Sequence, residues 1–183
     1  MDPHLRKLQE ELREVIAGLT TEERLRGHPP GKWCAAEILE HLYLTYTGTT
    51  KGFARVLAAD RVAATAANWR QRRNLLVVLG LGYLPSGRKA PSFSRPRGLP
   101  AENVLAEIAA KISEMDAMIA ACEEKLGPGK LLDHPVLGPL TGKQWRKFHL
   151  VHGRHHLSQI RRLSVETHSV AAAEGSEKPS QDT

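Results

Sequence analysis

The chain has 183 residues, a formal net charge of +6, 41% hydrophobic residues and 25% charged residues, values typical of one ordinary globular domain. No apolar run is long enough to cross a membrane, and the charged beginning "MDPHLRKLQEEL" lacks the apolar core of a signal peptide. We therefore expect a cytoplasmic protein with no membrane partner. The two cysteines are too few for a disulfide framework and fit reduced thiols.

Four segments carry apolar residues spaced alternately three and four positions apart, a pattern typical of helices that pack in a bundle. They span residues 5–19, 35–56, 105–126 and 145–163. Thr141 and Gln144 form a capping box that predicts the start of the last helix. No segment shows the alternation of apolar and polar residues that is typical of a β-strand.

An additional helix is expected before about residue 79, followed by a loop over residues 80–100 that is rich in Gly, Pro and Ser. Loops of this length are often functional. The sequence thus predicts an all-α fold, a four-helix bundle with an additional helix and a long basic loop. We place the domain at residues 1–168 and a disordered tail at residues 169–183.

Residues 61–100 hold the whole excess of positive charge, with eight basic and no acidic residues, against 18 basic and 20 acidic residues elsewhere. Such a segment either attracts an anionic partner or is a solvated basic loop. The candidate anion-binding residues of its loop are Arg88, Lys89, Arg95 and Arg97. Between residues 70 and 97 the aromatic residues are Tyr83 and Phe93, too few for a stacking surface, so nucleic-acid binding ranks third among the functions considered.

Histidines cluster in the last predicted helix, where His152 and His156 lie one turn apart in the middle of the apolar stripe. Two imidazoles at this spacing can share one cation. The alternative is a pair of core histidines bonded to water or to neighbouring carboxylates. His149 and His155 are weaker candidates, and the remaining histidines are expected on the surface or in loops: His4, His28, His134 and His168.

A third candidate ligand, His41, lies on the flank of the second predicted helix. Its neighbours on the helical wheel are small: Cys34, Thr45, Gly48 and Gly52. Small residues leave space for a ligand or reflect close helix packing, and Cys34 is a minor candidate for contact with a metal. Glu37, one turn earlier, could accept the second N–H of His41 and orient the ring, or the two could form an ordinary surface pair.

The segments "GKWCAAEILEHL" and "HPVLGPLTGKQWRKFHLVHGRHHLSQIRRL" resemble the DinB/YfiT-like superfamily of metal-binding four-helix bundles, and the resemblance covers roughly residues 3–165. It implies a divalent ion, zinc or nickel, bound by His41, His152 and His156, with other coordination positions open to water. Around these ligands we expect three supporting residues: Glu37, Gln159 and His149. Family members often carry Ser or Thr where this chain has Cys34, which caps a helix poorly, so the first turn should rely on other contacts.

The resemblance also implies a reaction class. Characterised branches of the superfamily include thiol-dependent S-transferases and a mycothiol-dependent isomerase, while other relatives are regarded as metal-dependent hydrolases. We therefore expect a metal-dependent transferase or hydrolase that uses a low-molecular-weight thiol and an electrophile. The alternative is a non-catalytic, metal-stabilised bundle that acts as a sensor or interaction module. A homodimer is expected from the resemblance and from Leu150 and Leu157, which need covering, although the loop over residues 80–100 could cover them within one chain instead.

Overall fold

The computed structural model describes residues 1–20, 32–85, 87 and 89–175, with the backbone alone given for residues 166–175. Its elements are α1 (Pro3–Ala17), α2 (Ala35–Ala59), α3 (Trp69–Leu75, continued by a π-helical turn Leu76–Gly80), a 3₁₀ turn (Ser92–Ser94), α4 (Ala101–Leu126), β1 (Lys130–His134), β2 (Gly138–Thr141) and α5 (Gly142–Gly175). The chain is mostly helical, as predicted. None of the helices described here combines the length and apolar character needed to cross a membrane.

The long helices share one apolar core, and α5 packs against α1 along much of its length. The contact is close at Gly153, where an added Cβ would collide with Leu8 Cδ1. Leu150 and Leu157 are buried in this packing, with exposed fractions of 7% and 0%. Both leucines are therefore covered within a single chain, without the second copy that was expected to cover them.

A short antiparallel hairpin, β1 paired with β2, precedes α5, so the expectation of no strands is wrong. The strands are four and five residues long, and β1 carries two adjacent leucines, Leu131 and Leu132, instead of an apolar–polar alternation. Leu131 is buried in the helical core, while Leu132 lies against Gly52 of α2. Both faces of the strand are thus covered, which explains why no alternation marks it.

Both ends of this hairpin are fixed to helices. The indole N–H of Trp145 on α5 donates to the carbonyl oxygen of Leu132 at 3.1 Å. The predicted capping box at the start of α5 is confirmed, since Thr141 and Gln144 exchange two hydrogen bonds of 3.1 Å. These contacts hold the hairpin beside the first turn of α5, which precedes the clustered histidines.

The last helix continues to Gly175, beyond residue 169 where we expected a disordered tail to begin. Residues 176–183 of that tail lie outside the described residues. The helical backbone reaches further than the apolar repeat, which ends at Leu163, because alanine, at positions 171–173, has the highest intrinsic helix propensity. The division of the chain into domain and tail stays a prediction.

Candidate metal centre

His41 projects from α2 into the interior and is 4% exposed. Its Nδ1 lies 2.7 Å from the carbonyl oxygen of Ser94. A carbonyl only accepts, so Nδ1 carries the proton and donates it, which leaves the lone pair on Nε2. The ring also lies 5.1 Å from the ring of Trp33. A backbone contact from a distant loop therefore sets both the tautomer and the orientation of His41.

His152 and His156 project from one face of α5 towards His41. The Nε2 atom of His152 lies 3.2 Å from that of His156 and 3.3 Å from that of His41. All three side chains are buried, and one ligand atom from each lies within 4.8 Å of the others. We call His41, His152 and His156 the three-histidine cluster.

The donor set and spacing of the three-histidine cluster fit a metal ion. Two nitrogens bound to one tetrahedral metal at about 2.0–2.1 Å stand about 3.3–3.4 Å apart, which is close to the two observed separations. Burial lowers the pKa of His41, and burial with neighbouring imidazoles lowers the pKa of His152 and brings that of His156 to about 3. Three uncharged imidazoles with converging nitrogens could hold a divalent cation.

Gln159 supports one of these imidazoles. Its Oε1 accepts a hydrogen bond of 2.8 Å from Nδ1 of His156, so that the lone pair of His156 also lies on Nε2. The amide nitrogen of Gln159 lies 3.2 Å from Nε2 of His155. Gln159 thus plays the part for His156 that the Ser94 carbonyl plays for His41.

Glu37 does not orient His41, so that prediction is wrong. The Glu37 carboxylate folds back and accepts the backbone N–H of Cys34 at 2.8 Å. Glu37 is the third residue of α2, where a carboxylate satisfies one of the free N–H groups of the first turn. The first turn therefore relies on Glu37, as expected for a helix preceded by cysteine, and Cys34 is not part of the three-histidine cluster.

The small residues beside His41 are explained mainly by close packing. A Cβ added at Gly48 would lie 3.2 Å from Phe93 Cε2, and one added at Gly52 would lie 2.9 Å from Leu132 Cδ2. The hydroxyl of Thr45 donates to the carbonyl of His41 on the same helix. Gly48 and Gly52 let the loop and the hairpin approach α2, and these two segments form walls around the cluster.

The cluster opens into a cavity of about 1370 Å³ between α2, α5, the hairpin and the basic loop. Its walls include the aromatic rings of Trp33, Phe93 and Phe148. The charged side chains that line it comprise six cations and one carboxylate: Lys32, Lys51, Arg55, Lys89, Arg95, Arg162 and Asp133. The Asp133 carboxylate accepts hydrogen bonds from the Thr65 N–H and hydroxyl. The cavity therefore carries a marked excess of positive charge.

The basic loop contributes to this charge in part. Lys89 and Arg95 line the cavity, whereas Arg97 is not among the lining residues and its guanidinium donates to the carbonyl of Phe93. Arg88 lies outside the described residues. Sequence reasoning overlooked Lys51 and Arg55, because they lie on α2 and outside the acid-free segment.

The loop is also fixed to α2, although its composition suggested a projecting segment. Glu40 is 3% exposed, and its carboxylate oxygens accept the backbone N–H groups of Arg97 at 2.7 Å and Gly98 at 3.1 Å. With the contact between His41 and Ser94, three hydrogen bonds tie residues 94–98 to one helix. No sequence signal marked Ser94, because its backbone oxygen is the acceptor.

His149 is fully buried behind the cluster, where it stacks on Trp145 and meets the edge of Tyr46. Neither ring nitrogen of His149 has a hydrogen-bond partner among the described residues, and the same holds for the Tyr46 hydroxyl and Nδ1 of His152. Burial, with a smaller contribution from His134, lowers the pKa of His149 to about 3. His149 is thus a neutral core residue, and the structure gives it no direct bond to a candidate ligand.

The model of one protein family, described as a protein of unknown function (DUF1569), matches residues 2–163. The chain belongs to the DUF1569 family. The match spans α1 to α5 and includes all three members of the three-histidine cluster. No curated protein and no solved structure matches this DUF1569 chain.

Proposed function

We propose that this DUF1569 protein is a metal-dependent enzyme of the DinB/YfiT-like type, with one zinc or nickel ion bound by His41, His152 and His156. The observation that carries the proposal is the convergence of three neutral, buried imidazole nitrogens at the wall of an open cavity. The packing of α1, α2, α4 and α5 around one core is compatible with the four-helix bundle of that superfamily.

Access from the cavity favours catalysis over a purely structural metal. Structural sites close the coordination shell with four protein ligands, whereas catalytic sites keep a position for water or substrate. The described part of the chain offers three ligands at this point, and Cys34 does not supply a fourth. A bound ion would lower the pKa of a water or thiol ligand and so generate a nucleophile near neutral pH.

The protein's own groups would set the geometry of this site. The Ser94 carbonyl and the Gln159 amide hold two imidazoles with their Nε2 lone pairs converging. Phe148 stacks on His152 with ring centroids 5.3 Å apart and shields it from bulk water. In S-transfer, a sulfur–carbon bond would form while the leaving group departs from that carbon with its bonding electron pair.

The charge of the cavity supports an acidic substrate. Low-molecular-weight thiols carry carboxylate or similar groups, and a cation-rich cavity attracts them electrostatically. Lys89 and Arg95 lie at the loop wall, and Arg162 lies on α5 beyond Gln159. These exposed cations would serve mainly in capture, because salt screens exposed charges over about 8 Å at physiological ionic strength.

Metal content tests the first part of the proposal. Protein prepared without chelator or nickel resin should contain about one zinc or nickel ion per chain by elemental analysis, and His152→Ala should lose it. His4→Ala, on α1 and away from the cluster, is the matched control. Equal metal content in wild-type protein and His152→Ala would refute the assignment of ligands.

Thiol binding tests the second part. Calorimetric titration with glutathione, bacillithiol and mycothiol should detect binding of one of them to the metal-loaded protein. Replacing Lys89 and Arg95 together by Ser should weaken that binding without changing the metal content. If none of the three thiols binds, the proposed thiol-transferase activity is refuted and hydrolase activity remains as the proposal.

We also propose a homodimer, on the resemblance alone, since Leu150 and Leu157 are already buried within a single chain. Light scattering at high micromolar concentration should give twice the chain mass of 20.2 kDa. A monomer at that concentration would contradict this proposal without affecting the metal site.

A further inference from the structure

His134 lies at the end of β1, beside the turn of the hairpin. Its Nδ1 lies 3.1 Å from the backbone nitrogens of both Val136 and Leu137. A backbone N–H only donates, so Nδ1 is the acceptor of both bonds and carries no proton. The proton of the neutral ring therefore resides on Nε2.

The His134 ring packs against two aromatic rings of α5. Its centroid lies 5.3 Å from Trp145 and 4.4 Å from Phe148. Burial lowers the pKa of His134 to about 4, so the ring stays neutral near pH 7. Turning the ring over would leave the N–H groups of Val136 and Leu137 without their acceptor, which costs free energy in a shielded site. Nε2–H is thus a donor of fixed direction.

This donor lies in the wall of the cavity that contains the three-histidine cluster. Among the described residues, no atom accepts a hydrogen bond from Nε2 of His134. Nε2 of His134 is also not one of the fully buried polar atoms that lack a partner. Phe148 lies between His134 and His152, in ring contact with both. A small molecule could therefore contact His134 at one end and reach the cluster with the other.

The chemical character of the cavity indicates which acceptor His134 would meet. Six cations line the cavity, and its one carboxylate, that of Asp133, already accepts two hydrogen bonds from Thr65. Two of these cations, Lys51 and Arg55, flank Gly52, which packs on Leu132 of the same strand as His134. The wall formed by α2 and β1 thus contains both a neutral N–H donor and positively charged side chains, a combination that suits an anionic oxygen.

We propose that His134 is a substrate-binding residue whose Nε2–H donates to an anionic oxygen, carboxylate or phosphate, of a molecule that extends to the three-histidine cluster. The placement of the second end rests on the proposed function. The assignment of Nε2–H as the donor depends only on the hairpin, the cavity and the orientation of the ring. His134 would select ligands by the position of their acceptor oxygen, while the cations that line the cavity supply attraction of longer range.

The tautomer can be measured without metal or substrate. Long-range proton–nitrogen correlation spectra of the ¹⁵N-labelled apoprotein at neutral pH should show His134 as the Nε2–H tautomer. Titration with sodium phosphate, and separately with sodium acetate, should shift the Nε2–H resonance of His134 in a saturable manner. The anion whose titration has the lower midpoint concentration is the preferred one. An Nδ1–H tautomer, or no saturable shift with either anion, would overturn the proposal.

A variant then separates the donor from the structural role of the ring. His134→Asn keeps an oxygen that can accept the Val136 N–H but withdraws the donor from the Nε2 position, because its amide N–H lies on a shorter side chain, so affinity for the preferred anion should fall roughly tenfold. His4→Asn is the matched control and should bind as the wild type does. Unchanged anion affinity in His134→Asn refutes the proposal, and a loss of fold in that variant leaves the spectra of the wild-type protein to decide. A titration with zinc separates the proposed metal site from the proposed anion contact of His134. Failure to bind zinc would refute the metal site while leaving the anion response of His134 intact.

Discussion

Acid should destabilise this protein through its buried neutral histidines, and His149 offers the cleanest case. The ring is fully buried, and its pKa in the folded chain is about 3, against an ordinary value of 6.5. Between these two values the unfolded chain binds more protons than the folded chain, so the free energy of unfolding falls as the pH is lowered. The stabilising effect is complete above about pH 6.5 and is lost towards about pH 3. One unit of pKa difference corresponds to about 1.4 kcal/mol, so His149 alone should account for about 2 kcal/mol between about pH 7.5 and about pH 5.

The substitution His149→Leu tests this value. Leucine is apolar, of similar size, and does not titrate, so the variant should lose about 2 kcal/mol less than the wild type over that pH interval. Urea unfolding at both pH values, with chelator present to remove metal-linked proton release, gives the difference directly. His4→Leu on α1 is the control and should follow the wild type. Parallel pH dependences for wild type and His149→Leu would refute the reasoning, because they would mean that His149 is protonated equally easily in the folded and unfolded chain.

Four further substitutions separate the roles of individual contacts. Gln159→Leu removes the acceptor from Nδ1 of His156 and should weaken zinc binding about 10- to 100-fold in a competition titration, with little change in the unfolding of the apoprotein. Glu40→Ala removes the acceptor for two backbone N–H groups of the basic loop, so amide hydrogen exchange there should accelerate at least about tenfold. Arg146→Met removes the cation that contacts the buried carboxylate of Asp116 at 2.6 Å and leaves that carboxylate only the backbone N–H of Asp2, so it should cost about 3–5 kcal/mol by urea unfolding. Arg154→Met breaks a more exposed ion pair on the surface of α5 and should cost less than about 1 kcal/mol in the same assay.

The helices were the most predictable part of the structure. The apolar repeat of residues 105–126 ends at the same residue as α4, and that of residues 35–56 begins at the same residue as α2. Such a repeat reports the buried face of a helix directly, because each apolar position must be covered by a neighbour. The hairpin was missed for the converse reason, since a five-residue strand that is covered on both faces has no alternation to detect.

The site was predictable only where its contacts are local or follow a helical spacing. The spacing of His152 and His156 on one helix indicated a shared ligand, while Gln159 was expected from the resemblance to the DinB/YfiT-like superfamily. The acceptor for His41 could not be found in the same way, because it is a backbone oxygen 53 residues away and any residue could supply it. His134 was expected on the surface or in a loop, whereas the fold packs it beside the rings of Trp145 and Phe148 on α5.

The three-histidine cluster joins segments that are far apart in the chain, since His41 and His152 are separated by 111 residues. A ribosome therefore delivers the first member long before the other two, and the cluster can assemble only after α5 has emerged and docked beside α2. Any cation specific for the assembled cluster would bind at the end of folding and would stabilise the finished chain over its partly synthesised forms. A truncated chain that stops before α5 should accordingly show no cluster-dependent gain of stability with zinc, however well its earlier helices form.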